Sequence, residues 1–80
     1  MYKQTEQRQF AICIANDSCE DLQVLKIYLL LPDPKADEEN YVRVIDDSGE
    51  DYLYPASRFV TTEFSEGVTK QLIAAIPSVA

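Results

Sequence analysis

Histidine and tryptophan are absent from this chain of 80 residues, and glycine and cysteine occur only twice each. Without His the chain lacks the commonest general base and the imidazole that most zinc sites use. Cys13 and Cys19 therefore have no His to draw off a thiol proton, and two cysteines alone are a poor start for zinc. Two glycines leave no phosphate-cradling loop, and neither a nucleophile elbow nor a metal-ligand spacing occurs. These absences predict a protein that is not an enzyme and takes no cofactor and no metal.

Positive charge is scarce too. Seven Lys and Arg face fourteen Asp and Glu, a formal charge of -7, and positions 33–51 hold eight carboxylates against Lys35 and Arg43. Phosphate is repelled by such a surface, so direct nucleic-acid binding is not expected. The one nucleic-acid role left open is an acidic imitation of DNA, offered to a basic nucleic-acid-binding protein. No apolar run reaches the ~18 residues of a membrane span, and Met1-Tyr2-Lys3-Gln4-Thr5-Glu6-Gln7-Arg8 lacks the apolar middle of a secretion signal. The expectation is a cytoplasmic protein with reduced cysteines and no membrane partner. A disulfide across the turn at 16–18 would need an oxidising compartment.

What is present is a globular composition, nearly half apolar, in a length that makes a single domain over 1–80. After a frayed start at 1–8, Gln9-Phe10-Ala11-Ile12-Cys13-Ile14-Ala15-Asn16 alternates as a first strand, with Phe10, Ile12 and Ile14 on one face and a half-buried Cys13 on the other. Leu22-Gln23-Val24-Leu25-Lys26-Ile27-Tyr28-Leu29-Leu30-Leu31 reads as a second strand in preference to a helix, stopped by Pro32-Asp33-Pro34. Pro34 either opens one helical turn that Asn40 ends, or leads a solvated loop. Tyr41-Val42-Arg43-Val44-Ile45 is a third strand. Asp46-Asp47-Ser48-Gly49 is a type I turn with a left-handed last residue, and Glu50-Asp51-Tyr52-Leu53-Tyr54 returns as a fourth strand. Pro55-Ala56-Ser57-Arg58 suits a 3₁₀ turn before a short strand, Phe59-Val60-Thr61-Thr62. Ser65 caps a helix over 66–76, with Val68, Leu72, Ile73 and Ile76 in one stripe and Pro77 beyond. The fold expected is mainly β: a small antiparallel barrel of about five strands over 9–62, with a C-terminal α-helix over 65–76.

Tyr54-Pro55-Ala56-Ser57-Arg58-Phe59, following a Gly-containing hairpin, resembles the end of a Src-homology-3 domain, and the likeness covers roughly residues 22–62. Cys13-Ile14, Asn16, Lys26-Ile27-Tyr28, Leu31-Pro32-Asp33 and RVIDDSGEDYLYPASRF together are similar to a family of short, functionally uncharacterised bacterial proteins, cyanobacterial ones included. The resemblance implies an SH3-like barrel and no activity. Peptide-binding members of that fold use an Ala-Leu-Tyr-Asp-Tyr-like stretch, a Trp and a groove Tyr. Here Ile27-Tyr28-Leu29-Leu30 and Arg58 stand in the first and last of those places and Trp is missing, so proline-rich ligands are not implied.

Tyr52 and Tyr54 alternate onto one face of the fourth strand, and Tyr41 and Arg43 share a face of the third. The resemblance instead turns Tyr54 into the core and Leu53 outward. Asp46 is suited to accept turn N–H groups, and the carboxylate pairs Asp46-Asp47 and Glu50-Asp51 lack the alternation of a calcium loop. Tyr, Pro and Arg at a barrel edge have the composition of an interface. The candidate protein-binding residues are Glu50, Asp51, Tyr52, Tyr54, Pro55 and Arg58, and the partner is another protein. The expected function is that of a non-enzymatic adaptor that binds through the Tyr52 to Arg58 edge and the acidic surface from Asp33 to Asp51. The alternatives are a structural subunit or homodimer built on the apolar helix face, and the acidic DNA mimic.

Overall fold

In the computed structural model, which describes residues 9–76, five antiparallel strands form one sheet, with a helix following the last of them. The strands are β1 (Gln9–Cys13), β2 (Ile27–Leu31), β3 (Tyr41–Ile45), β4 (Asp51–Pro55) and β5 (Phe59–Thr62). Two helices accompany them, α1 (Pro34–Glu38) and α2 (Glu66–Ala74). The order across the sheet is β4-β3-β2-β1-β5. β4 and β5 are thus its two edges, yet only a three-residue 3₁₀ turn, Ala56–Arg58, separates them in sequence. The expected frayed start at 1–8 and the helix stop at Pro77 lie outside the described residues.

Cross-strand partners share a face, so the register fixes which side chains meet. Ala11 pairs with Tyr28, Leu30 with Val44, Val42 with Tyr54 and Cys13 with Phe59. These residues, with Leu22 reaching in from a loop, make the core. The sequence placed Cys13 on a half-buried face; in the structure Ala11 and Cys13 are fully buried, their small side chains lying opposite the large rings of Tyr28 and Phe59. The opposite face carries Phe10, Ile12, Ile27, Leu29 and Ile45, of which Phe10 and Leu29 are buried. Phe10 meets the ring of Phe64 edge-on at 6.0 Å.

The second strand is half the expected length. Residues 22–26 form a turn in which Lys26 N–H donates to Gln23 C=O, while Leu25 takes a φ of 73°. Leu25 N–H donates to Cys13 C=O and Cys13 N–H to Lys26 C=O, so two residues oppose one in a β-bulge. The apolar run Leu22-Gln23-Val24-Leu25 therefore leaves the sheet before β2 begins, and β1 ends with it at Cys13. Elsewhere expectation and structure agree closely. Asp33 caps α1 by accepting from Ala36 N–H, Pro34 begins it, and Asn40 turns left-handed after it. Gly49 adopts φ 87° and donates to Asp46 C=O, closing the hairpin. Ser65 caps α2 through Val68 N–H. The helix ends at Ala74, short of the 76 expected, and none of its residues is buried.

Candidate functional site

One end of the sheet gathers the β1–β2 loop, the β3–β4 turn and the start of β5. The turn itself is held by two neighbouring aspartates with different tasks. Asp46, only 5 % exposed, accepts from Ser48 N–H, Ser48 Oγ–H and, at 2.6 Å, Tyr54 Oη–H. Three donors compensate the burial of that carboxylate. Burial and then the Asp46 carboxylate hold the Tyr54 hydroxyl neutral well above the ordinary tyrosine range.

Asp47 ties the turn to the loop. Its Oδ1 takes Lys26 Nζ at 2.6 Å and Tyr28 Oη at 3.1 Å, its Oδ2 takes Gln23 Nε2 at 3.1 Å, and its N–H donates to Asp21 C=O. Partial burial pushes the Asp47 pKa up, but the three donors together outweigh it and hold the group below the usual carboxylate value. Tyr28 accepts from Gln23 N–H at 2.7 Å, and chiefly its burial pushes its pKa up to about 12. A groove of about 370 Å³ opens beside this network, lined by Lys26, Ile27, Leu29, Ile45, Asp47 and, from just beyond α2, Ile76.

The residues expected to form a binding edge are only partly brought together. Tyr52 is exposed and donates to Glu50 Oε1 at 3.0 Å, which with the Glu50 charge raises its pKa. Asp51 points to the other face and pairs with Arg43 at 2.9 Å, where Arg43 also holds Asp33. Tyr54 is half-buried against the core and meets Phe59 edge-on at 6.2 Å, so it serves packing, and Leu53 is the residue turned outward. Pro55 lies at the far end of β4, opposite Tyr41. Arg58 returns to the near end, where its C=O accepts from Ile14 N–H; it forms no ion pair among the described residues. Glu50 and Tyr52 therefore stand together at the start of the β4 edge, Arg58 stands at the start of the opposite edge, β5, Pro55 is at the other end of β4, and Tyr54 is internal.

Sequence reasoning missed Asp21, Gln23, Lys26 and Leu25 at this end. Reading 22–31 as one continuous strand hid the last three of these; only the charged Lys26 inside an apolar run marks the place where the strand breaks. Chemically, Asp47 is held in its charged form by its donors and both core tyrosines are held neutral, so none of these three groups is set to move a proton near neutral pH. Among the described residues no group of three or more His, Cys, Asp or Glu is placed to hold a metal ion, and no helix is long and apolar enough to cross a membrane. Comparison with family models, with curated proteins and with solved structures gave no match to this chain.

Proposed function

We propose that this is a small, non-enzymatic protein-binding module that uses the hairpin end of its sheet, with Glu50 and Tyr52 at the centre and Arg58, at the start of β5, as a further contact. The observation that carries the reading is Tyr52: an exposed aromatic on an edge strand, held in one orientation by its bond to Glu50. A fixed aromatic loses little entropy when a partner covers it, and an edge strand offers unpaired backbone groups as well. The SH3-like barrel belongs to the same proposal. It is supported by the short 3₁₀ link between the two edges and by the Tyr54 and Phe59 rings that meet across them. Replacing Tyr52 and Arg58 with Ala, in a chain that keeps its melting temperature, is expected to cut recovery of bound protein from the native host at least tenfold. Undiminished recovery with the same partner overturns the reading.

A second reading, a subunit or homodimer completed by α2, is favoured by the helix's lack of any buried residue and by Val68, which is 43 % exposed. Sedimentation at micromolar concentration separates the homodimer form, since a stable monomer removes it.

A further inference from the structure

Leu25 breaks two rules at once. A left-handed φ of 73° in the first position of a bulge is glycine's place, because a Cβ there crowds the backbone. A leucine in that place, 76 % exposed, gains no compensating burial in the free protein. Its neighbours are apolar and exposed as well. Val60, Ile12 and Ile27 form a cross-strand row on the outer face, with Val60 46 % and Ile27 40 % exposed. Ile14 continues β1 beyond that row and is likewise exposed. On the same face Phe64 meets Phe10 edge-on, and Ala75 and Ile76, just beyond α2, line a groove with Ile27 and Leu29.

We propose that Leu25, with Ile14 and the row Ile12, Ile27 and Val60, anchors a cationic amphipathic helix of a partner protein. A helix suits the place because an exposed apolar row running across three strands can take the apolar stripe of an amphipathic helix. Cationic flanks follow from charge. The loop that displays Leu25 also carries Asp17, Glu20 and Asp21, exposed and without an ion pair among the described residues. With a net charge of -7, a second copy of this chain would meet like charge there. The surface lies off the Glu50 and Tyr52 edge and meets the first proposal at Arg58, whose C=O accepts from Ile14 N–H, so Leu25→Gly and Tyr52→Ala test the two separately.

The probe is a synthetic helical peptide of Leu and Lys with leucines at i, i+3, i+4 and i+7, followed by fluorescence anisotropy, alongside the same peptide with Glu for Lys. The Lys peptide is expected to bind, the Glu peptide not, and amide chemical-shift changes are expected at Ile12, Ile14, Leu25, Ile27 and Val60. Leu25→Gly should weaken binding at least tenfold while leaving the melting temperature unchanged or higher, whereas Glu50→Gln with Asp51→Asn should keep most of the affinity. Shifts centred on 50–53 instead, equal affinity for Leu25→Gly, or self-association of the chain through the same five residues would each overturn the proposal.

Discussion

Asp46 is the residue on which the hairpin most depends. Its carboxylate satisfies one backbone N–H of the turn and two hydroxyls, and one of those hydroxyls belongs to a half-buried core tyrosine. Alanine there would leave the Tyr54 hydroxyl and the Ser48 N–H without acceptors in a poorly solvated place, a loss of roughly 2 kcal/mol. Chemical denaturation of Asp46→Ala is expected to show that loss, and a variant within a few tenths of a kcal/mol of the parent would remove Asp46 from this role. Asp46 was legible in the sequence as a turn-capping residue, because an Asp at the first position of such a turn has a local partner. Tyr54 Oη as its second anchor was not legible, since that contact depends on which way β4 turns its alternate side chains.

At the level of elements, β3, the hairpin and β5 were readable from local signals such as Gly49 at a left-handed position and Pro55 closing an edge strand, while Pro34 left a helical turn or a loop open until the Asp33 cap was seen. The β1–β2 connection was not readable. An apolar run with β-branched members says strand, and only tertiary pairing with Cys13 reveals that Leu25 is bulged out of the ladder. The last helix is intermediate, its cap and stripe visible but its looseness not. Gly67 lies in its first turn with nothing within 4 Å of a Cβ built there, so alanine meets no clash and reduces the entropy of the unfolded chain. Gly67→Ala is expected to stabilise α2 by about 0.5–1 kcal/mol. Slower hydrogen exchange confined to α2 amides would be its signature, because a helix without a buried residue unfolds locally before the sheet does. Exchange slowed equally throughout the sheet would mean that α2 is instead integral to the core.

Across the whole molecule, charge pulls in two directions as pH changes. From neutral pH downward, protonation first relieves the self-repulsion of a chain with fourteen acids and seven bases, which favours the compact state. Opposing this, Asp33 is held below the usual carboxylate value, first by Ala36 N–H and then by Arg43, and Asp47 is held low by its three donors despite partial burial. A carboxylate with a depressed folded pKa stabilises the fold above the unfolded value, ~3.9, and that stability is lost as pH falls through the lower folded value. The melting temperature should therefore hold or rise between pH 7 and ~5 and collapse below ~4, where the net charge turns positive and both effects act against folding. At the alkaline end the sign reverses. Tyr28 keeps its proton to about 12 in the fold, and the unfolded tyrosine releases it near ~10. The stability it contributes is intact below that unfolded value and is lost as pH climbs through the folded one. Thermal scans across pH at low and moderate salt test both limbs. Asp47→Asn should flatten the acid limb, Tyr28→Phe should flatten the alkaline one, and added salt should raise the melting temperature at pH 7. A melting temperature that already falls between pH 7 and ~5 would mean that the ion pairs outweigh the chain's net charge, and would overturn this ordering of the two effects.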